Sequence, residues 1–419
     1  MIWLIGNKGM LGTEVKRQLN SCNLDYSATD MDVDITSLEA LNNHAKDIFS
    51  GKSNNWIINC SAYTAVDKAE EEPEIAEKIN VIGVKNITEC ALKFNTKLVH
   101  ISTDYVFGGT CSTPLTEDMP VSPVSVYGKT KLDGENAIKA VTNKFFIIRT
   151  AWLYGLNGSN FIYTMLKLMN DRDTISVVQD QHGSPTNAAD LAGLIMEIIR
   201  QDSAHYGIYH YSNEGNITWY EFAAEIYRLG RENSLINSEC TVKSCNSEQF
   251  STKAKRPEYS LLSKEKAMNT FRITVPEWKE SLMRFLKNLN ELENRVSNWI
   301  DHSNYDFETA IAMHDSGRYL YVLITSQQCL EKMLKAVYEY KGLTVPRIHD
   351  LLRLAKGLGL ILNNLNEQLL KDLSYYYIAS RYSERIQTLS KDIDKNKSVY
   401  IMNLTKEMIL WLKSMIPFV

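Results

Sequence analysis

With 419 residues, 44% of them hydrophobic and 23% charged, the chain has material for two or three packed domains and none of the bias of a disordered protein. A formal charge of −4 gives no pull toward nucleic acid or anionic lipid, and the 16 Lys and Arg from Asn290 onward face 15 Asp and Glu. Seven cysteines are scattered without a Cys-x-x-Cys pair, which excludes a recognisable zinc site or disulfide framework and suits a reducing compartment. No metal is therefore expected. Met1 runs straight into a strand-like segment with no basic leader, and no apolar run approaches the roughly 18 residues of a membrane span. The expectation is a cytoplasmic chain that does not engage the membrane.

The first half alternates short apolar runs with amphipathic stretches. Met1 to Ile5, Trp56 to Asn59, Leu98 to Ser102 and Phe145 to Ile148 read as buried parallel strands. Pro73 to Phe94 reads as a helix, opened by its proline. Alternation of this kind predicts an α/β fold with a doubly wound parallel sheet of the Rossmann type.

Gly6, Gly9 and Gly12 follow the first strand as G-x-x-G-x-x-G and lead into a helix. Glycines there let the backbone turn sharply and approach a diphosphate, which the helix N-terminus attracts. Asp30 falls where the second strand should end, in a segment that also holds Asp32 and Asp34, and a carboxylate there suits an adenosine ribose diol. That favours NADH, while Lys8 in the glycine loop leaves NADPH open.

Tyr127 and Lys131 form Y-x-x-x-K at the start of a predicted helix, which puts both on one face. An adjacent ammonium is expected to draw the phenol's pKa down toward the working range. Thr103 closes the strand Leu98 to Ser102, and strand ends on that side of a doubly wound sheet face the ligand crevice. Together they predict hydride transfer to a ketone carbon, with Tyr127 donating the proton.

From Glu291 onward no strand is evident. Leu320, Leu323, Gln327, Leu330, Leu334 and Val337 step by three and four, as do Ile401, Leu404, Met408, Trp411 and Met415, so a helical bundle is predicted. Gln327 reads as a boundary residue of its stripe. The expected division is a reductase unit over 1–287, with its substrate-binding portion mainly in 152–190 and 206–287, a polar linker over 288–294, and a helical bundle over 295–419.

Longer strings carry a resemblance. Asn59-Cys-Ser-Ala-Tyr-Thr-Ala-Val-Asp67, Ile101-Ser-Thr-Asp-Tyr-Val-Phe107, Val126-Tyr-Gly-Lys-Thr-Lys-Leu132, Arg149-Thr-Ala-Trp-Leu-Tyr-Gly155 and Asp180-Gln-His-Gly-Ser-Pro-Thr186 resemble the dTDP-4-dehydrorhamnose reductase family of extended short-chain dehydrogenases. The resemblance implies NAD(P)H-dependent reduction of the C4 ketone of dTDP-4-dehydro-6-deoxy-L-mannose to dTDP-L-rhamnose, or of a related deoxysugar nucleotide. It implies Thr103, Tyr127 and Lys131 as the catalytic trio. Cofactor contacts would come from Gly6, Gly9, Met10, Leu11, Gly12, Asp30, Asp34, Ile35, Ala62, Tyr63, Thr64 and Asn80, with Tyr127 and Lys131. Substrate contacts would come from Asp104, Tyr105, Trp152, Asn160 and Arg256, with Trp152 stacking on a sugar or base and Arg256 pairing with the diphosphate. Gly108-Gly109 stands where the family usually has Asp-Gly, Ala151 where serine is common and Cys60-Ser61 in place of an alanine pair, which leaves the sugar open.

The tail resembles a HEPN domain through Gln327-Gln-Cys-Leu-Glu-Lys-Met-Leu-Lys335, Pro346-Arg-Ile-His-Asp-Leu351 and Ser380-Arg-Tyr382. Many members of that family are RNases with an Arg-x4–6-His motif. Here Arg381 is followed by Tyr-Ser-Glu-Arg-Ile-Gln-Thr, and His349 reads as a capping or packing residue. Dimerisation, as a homodimer, or small-nucleotide binding is expected rather than strong nucleic-acid binding. The alternatives are a nucleotide-sugar-binding regulatory subunit without turnover, and an RNA-directed helical module with the Rossmann part as its sensor.

Overall fold

The structure, a computed structural model, describes residues 1–250, 252–382 and 388–416. It divides into two compact units, Met1–Leu286 and Lys287–Val419.

The first unit is built on a six-stranded sheet. Its elements are β1 (Ile2–Ile5), α1 (Met10–Ser21), β2 (Tyr26–Thr29), α2 (Leu38–Phe49), β3 (Trp56–Asn59), α3 (contiguous segments Pro73–Glu77, Lys78–Gly83 and Val84–Lys93), β4 (Lys97–Thr103), α4 (Val126–Val141), β5 (Phe145–Thr150), α5 (Ala188–Arg200) and β6 (Gly207–Tyr211). The strand order is β6-β5-β4-β3-β1-β2, and every pairing is parallel. Side chains alternate across β1: Ile2 and Leu4 join the core that holds Val15, Leu19 and Ile195, while Trp3 and Ile5 join the one that holds Leu41, Ala45 and Ile87. A sheet buried on both faces needs the unbroken apolar runs seen in β1 and β3. The doubly wound sheet is as expected.

Two details depart from expectation. The middle segment of α3, Lys78–Gly83, is π-helical rather than α-helical. A Cβ on Gly134 of α4 would lie 2.3 Å from the Asn80 carbonyl oxygen, so the two helices touch backbone to backbone there. Residues 207–211, expected in the substrate-binding portion, form β6 in register with β5. Tyr209, His210 and Tyr211 are buried in that strand, aromatic bulk filling the role that valine and isoleucine play elsewhere.

The rest of the unit is a smaller portion of short strand pairs, Leu153–Tyr154 with Thr186–Asn187, Thr174–Val178 with Thr241–Cys245, and His182–Gly183 with Ile217–Thr218. Helices Phe161–Asp171 and Trp219–Glu232 accompany them, the second opened by a reciprocal Thr218–Glu221 capping box.

The second unit is helical, with no strand among its described residues. Helix Trp278–Asp315 contains residues 288–294, so the polar segment expected as a linker is helical. Tyr319–Tyr340, Leu351–Gly357, Asn364–Ala379 and Lys395–Lys413 follow. Both predicted stripes face the core, with Trp411 and Met415 half-buried at its edge. Among the described residues no helix is long and apolar enough to cross a membrane.

Candidate active site

The strand order turns back between β1 and β3, and the loops leaving their carboxyl ends meet. Gly6 has φ +80°, and a Cβ there would sit 2.7 Å from the Ser61 nitrogen of the loop after β3. A Cβ on Gly12 would come within 2.0 Å of the Gly6 carbonyl oxygen. Gly9 is the N-cap of α1 and gives its first turn no side-chain cap, which leaves the N–H groups of Met10, Leu11 and Gly12 for a ligand anion such as a diphosphate. The cradle fits a dinucleotide.

Asp30 lies just beyond β2, where Oδ2 accepts from the Lys8 N–H at 3.0 Å and Oδ1 from the Met31 N–H at 3.0 Å. The carboxylate braces the glycine loop and keeps further lone pairs for a ligand. Asp34 closes a local turn, accepting from the Thr36 N–H at 2.8 Å and its hydroxyl at 2.7 Å, and these bonds hold its pKa below the usual range. Ile35 packs against Gly83 of the π-helical segment. Ala62, Tyr63 and Thr64 follow β3 in a loop that Asn80 clamps: Oδ1 accepts from the Tyr63 N–H at 2.9 Å and Nδ2 donates to the Tyr63 carbonyl at 3.1 Å. Nδ2 also reaches Thr130 Oγ1 of α4 at 3.1 Å. Asn80, an expected cofactor contact, is fully buried and clamps that loop to the helix that carries Tyr127 and Lys131.

Thr103 ends β4, and Ser125 caps α4 by accepting from the Gly128 N–H, which fixes Tyr127 and Lys131 in the first two turns. The Thr103 hydroxyl donates to Asp104 Oδ1 at 3.0 Å, accepts from the Tyr105 N–H at 3.2 Å and is hydrogen-bonded to the Tyr127 hydroxyl. All three catalytic candidates are buried. Burial pushes the Tyr127 phenol up to about 12, against the Thr103 hydrogen bond that draws it down. The expectation of a lowered phenol pKa is thus corrected: burial is the largest influence, and the neighbouring Asp104 carboxylate adds to it. Burial also pulls the Lys131 ammonium down to about 8, opposed by Glu135 and Cys60. Its Nζ donates to the Ile101 carbonyl at 2.6 Å. Burial raises the Asp104 carboxyl to about 6, opposed by hydrogen bonds from Ser260 and Thr103.

The substrate candidates separate into two groups. Tyr105 stands edge-on to Tyr127 with ring centroids 5.5 Å apart, so Asp104 and Tyr105 both touch the trio. Arg256 is hydrogen-bonded to Tyr105 but spends its fork on Asp67, with Nη2 to Oδ2 at 2.7 Å and Nη1 to Oδ1 at 3.3 Å. Arg256, expected to pair with the diphosphate, is thus ion-paired with Asp67 beside Tyr105. Trp152, held at φ +46°, is stacked on Trp219 with centroids 3.7 Å apart and planes at 15°. One face of its ring is already covered, and Gly183 lies so close that a Cβ there would be 3.0 Å from the indole. Asn160 caps helix Phe161–Asp171, accepting from the Ile162 and Tyr163 N–H groups and donating to the Gly155 carbonyl. Its amide thus caps this helix, with one N–H of Nδ2 given to the Gly155 carbonyl.

Residues 1–291 match the family model of the RmlD substrate binding domain. The chain belongs to that family. Over 297 residues it is 35% identical to the dTDP-4-dehydrorhamnose reductase of Escherichia coli (strain K12), an alignment spanning 69% of this chain and 97% of that protein. The crystal structure of a dTDP-4-dehydrorhamnose reductase from Clostridium acetobutylicum ATCC 824 is 42% identical and superimposes with a TM-score of 0.63 over 69% of this chain and 99% of that one. The enzyme of that name from Bacillus anthracis, solved in complex with NADP, is 38% identical with a TM-score of 0.63, over 68% of this chain and 97% of its own. Residues 296–415 match the HEPN domain.

In this RmlD-family chain the HEPN-matching unit carries its own polar cluster. Gln327 is fully buried, not a boundary residue: Nε2 donates to Glu331 Oε2 at 3.1 Å and to the His349 carbonyl at 2.8 Å. Glu331 also meets Lys335 at 2.7 Å and His349 Nδ1 at 3.0 Å. His349 therefore hydrogen-bonds to Glu331 through Nδ1, while Asp350 does the helix capping. Arg381 lies over the Tyr377 ring, 4.5 Å from its centroid. Residues 383–387, which hold most of the segment after Arg381, lie outside the described residues.

Proposed function

We propose that this chain reduces the C4 ketone of dTDP-4-dehydro-6-deoxy-L-mannose, or of a closely related deoxysugar nucleotide, to dTDP-L-rhamnose or its counterpart. The observation that carries the reading is the convergence of Thr103, Tyr127 and Lys131 beside the glycine cradle, in a chain that aligns along nearly the whole length of enzymes with that name. Gly6, Gly9, Met10, Leu11 and Gly12 would hold the diphosphate of NADH or NADPH, and Asp30 its adenosine ribose. The bound nicotinamide supplies the hydride. Tyr127, a neutral phenol at physiological pH, donates its proton to the alkoxide oxygen as charge develops there. Thr103 shares that oxygen, and Lys131 returns a proton to the phenolate.

The two units divide the work as 1–287 for reduction and 295–419 for an accessory helical role. Exposed Tyr375, Ile378, Tyr400 and Leu410 on the second unit support its use in homodimerisation. The seven cysteines, all free, suit the cytoplasm, and the even charge of residues 290–419 argues against strong nucleic-acid binding.

The test is incubation with the 4-keto sugar nucleotide and each reduced dinucleotide, followed by absorbance and product chromatography. Tyr127→Phe should lower turnover by about 10²–10⁴-fold without weakening dinucleotide binding. No dinucleotide oxidation by the unmodified chain would favour the non-catalytic regulatory reading.

A further inference from the structure

One buried titratable side chain beside the trio has no part in the chemistry above. His100 lies in the interior of β4, fully buried, directly opposite Asn59 at the end of β3. Asn59 Nδ2 is 3.0 Å from His100 Nδ1, and His100 Nε2 is 3.5 Å from Lys131 Nζ. The Asn59 amide cannot be reversed: its Oδ1 accepts the backbone N–H of Ser61 at 3.0 Å, and a backbone N–H has no other role than donor. Its NH2 group therefore faces His100, and Nδ1 must be the acceptor. The ring hydrogen is left on Nε2, the atom that faces Lys131.

We infer that Asn59 and His100 are positioning residues that set the proton affinity of Lys131: Asn59 fixes the imidazole as its Nε2–H tautomer, which offers a donor to the lysine and no acceptor. An ammonium gains nothing from that N–H and is repelled by it, whereas the lone pair of a neutral amine can accept it. The inference rests on the reductase reading above, because its use is to make Lys131 release a proton to the Tyr127 phenolate. In that step the Nζ–H bond breaks, the phenolate O–H bond forms, and the new amine lone pair is met by the His100 N–H. Other groups facing Lys131 do not supply this bias. The Ile101 carbonyl favours the ammonium, Glu135 does too although it is bound by Arg149, and burial keeps Cys60 a thiol. His100 itself stays neutral, since burial and Lys131 hold its pKa well below the usual range.

Long-range 1H–15N correlation spectra of the full-length, 15N-histidine-labelled protein read the tautomer directly, with the His100 signals assigned by their loss in His100→Gln. The Nε2–H form is expected across the neutral range. An imidazolium or an Nδ1–H form overturns the inference. Asn59→Asp presents an acceptor to Nδ1, moves the hydrogen there and turns the Nε2 lone pair toward Lys131. NMR titration of the Lys131 ammonium, at about 8 in the unmodified protein, should then move up by about one pH unit. The alkaline limb of turnover should move with it, and an unmoved titration overturns the inference. If no turnover is found at all, the reductase reading fails while the tautomer and the lysine titration still decide this one.

Discussion

Replacing Asp104 by asparagine should stabilise the protein, by an amount that depends on pH. Asp104 is 2% exposed and its Oδ1 accepts from Thr103, a bond that with Ser260 only partly offsets the burial of the carboxylate. Burial lifts its carboxyl from an ordinary 3.8 to about 6. A carboxyl raised on folding binds its proton more tightly in the native state, so the fold carries no penalty below the unfolded value, loses stability as pH rises, and carries the full cost above the folded value. At about 1.4 kcal/mol per pH unit, that cost is about 3 kcal/mol above neutrality and about half as much near pH 5. Asp104→Asn removes the ionisation while keeping the shape and an acceptor for Thr103. Urea unfolding followed by tryptophan fluorescence should show the variant more stable by up to about 3 kcal/mol in mildly alkaline buffer, with the gain shrinking toward pH 5. Reduced turnover should accompany it, since Asp104 holds the Thr103 hydroxyl hydrogen. A gain that is the same at both pH values, or a loss of stability in alkaline buffer, would refute the argument from burial.

Glu135→Gln should cost about 3–5 kcal/mol in the same assay, because it strands Arg149, which is 2% exposed and donates to Glu135 Oε1 at 2.9 Å and Oε2 at 2.7 Å. Gly12→Ala places a methyl group 2.0 Å from the Gly6 carbonyl oxygen, and overpacking of about 1–3 kcal/mol should weaken dinucleotide binding by roughly tenfold or more, as measured by calorimetry. Leu330→Ala, at a fully buried position of the helical unit, should lower that unit's stability by about 2–5 kcal/mol and leave turnover unchanged; a matching fall in turnover would show that the reductase unit depends on it.

Much of the sheet could be read in advance because β1, β3, β4 and β5 are apolar runs buried on both faces, a pattern with few alternatives. β6 could not, since Gly-Ile-Tyr-His-Tyr has neither an aliphatic run nor alternation, and its burial depends on a partner strand distant in sequence. That Tyr127, Lys131 and Thr103 would lie close together was legible because spacing and strand position constrain them independently. The local partners of Asn80, Asn160 and Arg256 were not, because a polar side chain near a site gives no sign of what already satisfies it. Asn80 clamps a loop, Asn160 caps a helix, and Arg256 is held by Asp67, a residue whose role has no local signature. Trp219 and His100 were missed for a related reason. Each matters through a contact across the fold, with Trp152 and Lys131 respectively. A histidine within an apolar strand is the one signal that could have raised His100, as burying an imidazole requires partners on both nitrogens.

The displacements at Asp104 and Lys131 bear on stability together. Asp104 imposes its cost above about 6, whereas Lys131, lowered from 10.5 to about 8, imposes its cost below about 8, where the buried ammonium is charged. For a base lowered on folding the sign reverses: stability is regained only as pH climbs from the folded toward the unfolded value. Both costs, about 3 kcal/mol each, are therefore in force together between about 6 and about 8. A fold selected only for stability would not bury an ionised carboxylate and an ammonium where each is least welcome. Under the proposed reduction such a site would do so because Tyr127 would need neighbours whose affinities lie near the working pH, Asp104 to orient Thr103 as a carboxylate and Lys131 to give up a proton readily. The stability lost around Asp104 and Lys131 must be made up by the two apolar cores on either side of the sheet.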